Sequence, residues 1–364
     1  MKTNRLDQLD GLRGLFCLMV ILTHFPFKDS LPVSNFIVRQ GYLFVDFFFV
    51  LSGFVIAFNY YDNINNTAAF KDYIQKRFLR LYPLLLYTVL VYLAFEIFFV
   101  LFFPQLLTHK ETLGHLLYLT LDSLTFMNST PVLGDNLGMN YPTWSISAEM
   151  ISYMIFGLIV LLFRRSRLLS IVIILVLLMI FLGTKKMYLL EGDWGFARGL
   201  VCFFMGVIAF AFSRRYTAES IGNRLEYILP VLLVGLFYFR QQYFEKKGLF
   251  IEREIFTLLV VPLFFGSFVF VYAGSKGALV KILCSRFFQY VGKLSYSIYL
   301  NHAIVLILVV RGMFSVLKLQ ENEFNISLSL IVSIIATILY SDITYRLVEK
   351  KGKKLLASLL RLKK

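Results

Sequence analysis

The sequence predicts an all-α fold: a polytopic integral membrane bundle of about ten transmembrane helices with both termini cytoplasmic. Three observations carry that reading. Hydrophobic residues make up 58% of the chain and charged residues 16%, whereas a soluble domain is nearer about half apolar and about a quarter charged. The mean hydropathy is +0.72, and the apolar residues fall in blocks close to the roughly 20 residues that cross a bilayer. The basic residues lie in short clusters between those blocks. The formal charge of +15 therefore reads as the positive-inside rule, and no contiguous basic domain points to nucleic acid.

The first expected span, 9–27, holds the apolar run Leu15–Leu22 and ends in Thr23-His24-Phe25-Pro26-Phe27. No small-x-small cleavage site follows, so it is expected to be a retained helix and not a signal peptide. The second span, 41–60, is followed by the basic stretch Lys76–Arg80 that leads into the third, 82–104. The connection 105–143 is turn-rich at Asn128-Ser129-Thr130-Pro131 and Gly134-Asp135-Asn136, and 115–127 within it is apolar enough for an interfacial or re-entrant piece. Further spans are expected at 144–163, 168–184, 195–213, 227–240 (the shortest), 254–273, 292–314 and 326–347. An even number puts both termini on one side. With the N-terminus inside, the inside segments carry most of the 37 Lys and Arg. Residues 1–347 then form the transmembrane domain. The tail 348–364, Lys clusters alternating with Leu pairs, reads as a basic amphipathic helix on the anionic leaflet. There is no internal repeat of the kind that marks many transporters. Cys17, Cys202 and Cys284 have no CxxC spacing, so neither a disulfide framework nor a metal site is expected.

Ionisable side chains inside spans cost free energy and face protein or water-filled cavities. Here they are Asp10, Arg13, His24, Asp46, Glu96, Glu149, Arg198, His302 and Asp342. Arg13 and His24, eleven residues apart, fall within about 20° of one helix face and ~16 Å apart along the axis. One face would then offer a fixed cation toward the cytoplasm and an imidazole toward the outside. Asp46 and Glu149 enter their spans from outside, and either carboxylate could orient His24 and raise its basicity. His302 is expected near mid-depth. His109 and His115, in the outer connection, read as solvated surface. Arg77 and Arg80 share a face if helical, and two guanidiniums at the cytoplasmic level suit a phosphate. Positive-inside topology alone would also explain them.

Five segments resemble the acyltransferase-3 family of membrane O-acyltransferases. They are Leu9-Asp10-Gly11-Leu12-Arg13-Gly14 with His24, Leu51-Ser52-Gly53-Phe54, Arg77-Phe78-Leu79-Arg80-Leu81-Tyr82-Pro83, Thr143-Trp144-Ser145-Ile146-Ser147-Ala148-Glu149, and Leu294-Ser295-Tyr296-Ser297-Ile298-Tyr299-Leu300-Asn301-His302. Each is weak alone; in this order, across nearly the whole chain, they are specific together. Ala148 and Met150 stand where the family often has Val and Glu. The chain ends soon after the tenth span, so it resembles the stand-alone members without an SGNH domain.

The resemblance implies transfer of an acyl group, acetyl by default, from acyl-CoA to a hydroxyl of a glycan or lipid-linked sugar, in O-antigen, exopolysaccharide or capsule, at the bacterial inner membrane. It implies no metal. His24 would be the general base, Arg13 would steer the CoA arm or stabilise developing negative charge, and Asp46 or Glu149 would be the partner of His24. Arg77, Arg80 and Tyr82 would bind the CoA, and Trp144, Ser147, Tyr296 and His302 the acceptor. An acyl-His24 intermediate is the rival to direct attack. A transporter or flippase of lipid-linked sugars shares the architecture but consumes no acyl-CoA. A glycan polymerase would use an outer loop rich in Arg and His. A scaffold gives no reason for charges in the spans.

Overall fold

The computed structural model describes residues 6–30, 36–102, 112–133, 138–185, 191–216 and 219–360. His109 and the Gly134–Asn136 turn lie outside them. The described chain is helical, with no strand. Its helices are α1 (Asp7–His24), α2 (Phe36–Arg39), α3 (Phe44–Tyr60), α4 (Thr67–Phe102), α5 (Leu113–Leu124), α6 (Thr143–Leu162) and α7 (Arg167–Gly183). They continue with α8 (Glu191–Ser213), α9 (Glu219–Phe239), α10 (Phe250–Gly274), α11 (Ala278–Leu283), α12 (Arg286–Arg311), α13 (Glu323–Thr344) and α14 (Lys351–Leu359).

Among the described residues, seven helical stretches are long and apolar enough to cross a membrane: Gly41–Tyr60, α4, α6, Trp194–Ser213, α10, Arg286–Val316 and Glu323–Leu359. The protein is an integral membrane protein. The other three expected spans are helices as well. α1 is 18 residues long and carries Asp7, Asp10 and Arg13, α7 is 17 residues, and α9 is 21 residues with Pro230 inside it.

The start of α1 and the ends of α3, α8 and α10 meet at one end of the bundle, here called basal. There Gln8 donates to the Ala273 carbonyl, Gln289 to that of Asp7, and Arg214 pairs with Asp62. His24, Gln40 and Arg240 belong to the opposite, apical end.

Apolar surface is turned outward on the peripheral helices, as with Val231 at 69% exposure and Leu339 at 61%. α13 makes the pattern plain. Ser329, Ser333, Thr337, Ser341 and Thr344, on one stripe, are buried while Leu328, Ile331, Ile335, Leu339 and Ile343 face out. A helix in lipid gains little by hiding apolar groups, so small polar residues take the packed face.

Glycines set the closest crossings. A Cβ on Gly53 of α3 would strike the Phe203 carbonyl of α8, and one on Gly206 of α8 would strike the Val50 carbonyl of α3. α1 and α12 meet in the same way, with Gly14 against the Gly292 nitrogen and Gly292 against the Asp10 carbonyl. Backbone cannot move aside as a side chain can. Gly292→Ala is therefore expected to destabilise the fold by about 1–3 kcal/mol. Gly235→Ala, where nothing lies within 4 Å of the added carbon, is expected to be neutral. Thermal unfolding in detergent compares the two.

Two elements differ from expectation. α4 is 36 residues long, about 54 Å, and begins well before the expected third span. Pro83 lies inside it, not at its entrance. The residues before Pro83 are good helix formers, and the Tyr296 hydroxyl donates to the Leu81 carbonyl beside the proline at 2.7 Å. Arg77 and Arg80 are thus helical and partly buried, not in a loop. The segment expected to be interfacial or re-entrant forms α5, and Phe126 after it packs on Phe78 and Tyr82 with centroids 6.3 and 6.1 Å away. Tyr82 is near the middle of α4, so this piece reaches inward. At the C-terminus, a π-helical turn, Tyr345–Lys350, connects α13 to α14. Gly352 then packs on Pro83, so the tail's first turn lies on α4.

Candidate functional site

The site begins as a cavity of about 210 Å³ between α1, α3, α4, α6 and α12. Helix directions order its wall. Arg13, Val55, Ile56, Arg77 and Arg80 lie toward the basal side, Ser52, Glu149, Tyr153 and Tyr296 in the middle, and Val45, Phe48, Ser145 and Tyr299 toward the apical side. A second chamber of about 160 Å³ adjoins it basally and shares Arg13, Val55, Ile56 and Arg77. It is completed by Leu6, Leu9, Asp10, Phe58, Asn59 and Tyr60, at the basal ends of α1 and α3. Together they lead from the basal end toward the middle of the bundle.

Three guanidiniums face this space, each held by a different neighbour. Arg13 pairs with Asp10 at 3.1 Å. Arg77 donates to the Tyr60 hydroxyl at 3.1 Å and lies over its ring. Arg80 lies 5.4 Å from the Tyr296 centroid and is ion-paired with Glu349. Glu349 is buried in the π-turn and also accepts from Ser297 at 3.0 Å. Nothing in the sequence pattern places Glu349 here, because it follows the last expected span. A carboxylate on Arg80 has the charge and the oxygen geometry by which a phosphate would be recognised.

Glu149 lies deeper. Ser52 donates to its Oε1 at 2.6 Å, and the Tyr153 hydroxyl is also bonded to it. Ser52 is the serine of the Leu51-Ser52-Gly53 segment, so that motif divides its work: the serine holds a cavity carboxylate and the glycine makes the α3–α8 contact.

His24 and His302 lie beyond the cavity's apical wall, with ring centroids 5.0 Å apart. Register explains the pair. α1 and α12 run the same way, Cys17 Sγ donates to the Ser295 carbonyl at a sequence separation of 278, and Gly14 faces Gly292. His24 and His302 have that same separation. His302 is thus deeper into its helix than expected, because α12 starts six residues before the expected span.

Each imidazole has one nitrogen tied to backbone. His24 Nδ1 is 2.9 Å from the Val20 carbonyl and His302 Nδ1 is 2.7 Å from that of Tyr299. A carbonyl can only accept, so in both rings Nδ1 bears the proton and Nε2 keeps its lone pair. Among the described residues, His302 Nε2 is buried without a hydrogen-bond partner. The His24 ring also lies 5.6 Å from that of Tyr141.

Several expected site residues sit elsewhere. Neither Asp46 nor Glu149 orients His24; the Val20 carbonyl does. Asp46 is held by Arg198 at 2.8 and 3.0 Å, with both side chains almost fully buried. Arg198 in turn lies 5.6 Å from the Trp144 ring centroid. Trp144 packs against Phe49 and does not line the cavity. Ser147 binds Asn128, which donates to Thr143 at 2.8 Å, so it pins the inserted segment. On α6 only Ser145, Ile146, Glu149 and Tyr153 face the cavity. Tyr82 is stacked on Phe78, because one residue beyond Leu81 turns it ~100° from the cavity face.

Residues 6–346 match the family model described as an acyltransferase domain. The chain is similar to protein 2 in the picA locus of Rhizobium radiobacter, 32% identical over 39% of this chain and 76% of that protein. It is similar to the acyltransferase MdmB of Streptomyces mycarofaciens, 33% identical over 42% of this chain and 39% of the relative. It is also similar to the peptidoglycan O-acetyltransferase OatA of Listeria monocytogenes, 26% identical over 43% of this chain and 24% of that one. The matches to MdmB and OatA thus span well under half of either relative. No solved structure matches the chain.

Proposed function

This chain belongs to the acyltransferase family whose domain it matches over residues 6–346, and from that premise we propose that it transfers an acyl group, acetyl first of all, from cytosolic acyl-CoA to a sugar hydroxyl on the far side of the membrane. The observation that carries the proposal is the arginine-lined cavity that leads from the basal end toward the His24–His302 pair. In this reading the basal end is cytoplasmic, both termini lie on that side, and the membrane is a bacterial inner membrane. A polysaccharide or glycolipid acceptor, as in O-antigen, exopolysaccharide or capsule, accords with the similarity to a peptidoglycan O-acetyltransferase.

The phosphates of acyl-CoA would meet Arg77 and Arg80, the second of which they would have to share with Glu349 or take from it. The thioester arm extends past Glu149 and Tyr296. The acceptor hydroxyl comes from the apical side to His24, the less buried of the two imidazoles. As its oxygen attacks the thioester carbonyl, the proton passes to His24 Nε2. The C–O bond forms, the C–S bond breaks, and the CoA thiolate leaves to take up that proton. His302, whose buried Nε2 also lacks a proton, faces the same reaction space and can accept from a second, neighbouring hydroxyl of the sugar. Arg13, on the basal side of the cavity and well away from His24, supplies positive charge that steers the CoA arm.

The test is release of free CoA by membranes supplied with acetyl-CoA and the host glycan, with mass analysis of the glycan. Acyl transfer to sugar is expected. Passage of a glycan across the bilayer without CoA release would replace this reading with transport. In an Arg77→Ala/Arg80→Ala variant, CoA affinity is expected to fall by at least tenfold, as loss of about two charge-assisted hydrogen bonds implies. Unchanged CoA affinity would remove the phosphate site.

A further inference from the structure

The arginine-lined cavity and the imidazole pair are adjacent but separate. His24 and His302 do not line the cavity; Tyr299 does. On α12 the cavity-facing residues climb through Ser295 and Tyr296 to Tyr299, and His302 follows one turn later. The Tyr299 ring therefore stands between the two compartments. Its centroid is 5.9 Å from that of His302 on one side and 6.2 Å from that of Phe48 on the other. Its hydroxyl crosses to α6, 2.8 Å from Ser145 Oγ.

We infer that Tyr299 is a gate, and that its swing decides when, and for how large an acyl group, the thioester reaches the imidazoles; the inference rests on the acyl transfer proposed above. The contact with Ser145 favours a ring that can turn. Ser145 has one proton and two acceptors in reach, the Tyr299 hydroxyl and the Pro142 carbonyl at 3.0 Å, so it can release the tyrosine and keep a bond. The cavity on the basal side offers the ring space to turn into. The closed position also has a use. A thioester that met His24 with water as the nearest hydroxyl would be hydrolysed, and a partition that opens only when the acceptor is seated guards against that loss.

The test is acceptor-free hydrolysis of acetyl-, butyryl- and hexanoyl-CoA by the purified protein, followed through the free CoA thiol. Water then takes the place of the sugar hydroxyl. Tyr299→Ala is expected to raise acetyl-CoA hydrolysis at least tenfold and to bring hexanoyl-CoA within threefold of acetyl-CoA. Tyr299→Phe, which keeps the ring and loses the bond to Ser145, is expected to fall between it and the wild type. Adding His24→Ala to Tyr299→Ala is expected to abolish the gain. Wild-type hydrolysis rates and chain-length preference in both tyrosine variants, with CoA binding intact, would overturn the inference. So would a gain that survives loss of His24. If Tyr299→Ala fails to fold, Tyr299→Phe carries the test alone. A wild type that transfers nothing to glycan would instead refute the underlying acyl transfer.

Discussion

His24→Ala is expected to lower acyl transfer by ~10²–10⁴-fold, the range lost with a positioned general base, while CoA binding stays within twofold. The second half of that expectation follows from the geometry. The cations that meet the phosphates are Arg77 and Arg80, and the imidazole lies beyond Tyr299 from them. His24→Gln separates two roles. A glutamine can hold a hydroxyl near where Nε2 was, but it cannot take its proton, so it is expected to be as inactive as alanine. His302→Gln, by contrast, keeps an acceptor atom near Nε2 and is expected to retain activity that His302→Ala loses. Transfer rates and CoA affinity for the four variants, in matched membranes, check both statements. Activity in His24→Ala above about a tenth of the wild type would move the base elsewhere.

Much of the fold was legible because lipid imposes a strong constraint: a segment that crosses must satisfy its own backbone, so apolar blocks of the right length become helices. All ten expected spans are helices, with ends a few residues from those expected for most. The exceptions have local causes. A proline usually marks the first turn of a helix, but Pro83 sits deep inside one, with a tyrosine from α12 bonded to the Leu81 carbonyl nearby. The tail was read from composition as a surface helix. Composition does not reveal that a π-turn aims Glu349 at Arg80.

The candidate site was legible one helix at a time. Arg13, Arg77, Arg80, Glu149 and Tyr296 do face one cavity. What periodicity within one helix cannot supply is the register between two helices far apart in sequence. The nearness of His24 and His302 depends on the Gly14–Gly292 contact, and the loss of Asp46 to Arg198 depends on the α3–α8 crossing. A faint signal for the second was present. Arg198 was the one arginine in the spans without an assigned role, and a buried aspartate and arginine in lipid are expected to find each other. Trp144 and Ser147 show a different limit. A conspicuous motif wraps around its helix, so about half of its residues must face away from any one site.

Asp46→Ala is expected to destabilise the protein by roughly 3–5 kcal/mol, the cost of leaving a buried charge alone. Two nitrogens of Arg198 meet the two oxygens of Asp46 in a forked pair, and with the carboxylate gone the guanidinium stays in a desolvated site beside Trp144 without its counter-charge. Replacing both, as Asp46→Leu with Arg198→Met, removes the charge together with its partner and is expected to recover most of the loss. That cycle distinguishes the two parts Asp46 could play. A residue that orients His24 would, on mutation to asparagine, lower the turnover rate in protein that still unfolds at the wild-type temperature. A residue that neutralises Arg198 lowers the unfolding temperature first and leaves turnover near normal in the protein that remains folded. Thermal unfolding and turnover measured on the same Asp46→Asn preparation decide between them, and the second pattern is expected. A normal unfolding temperature with lost activity would return Asp46 to the side of the imidazole.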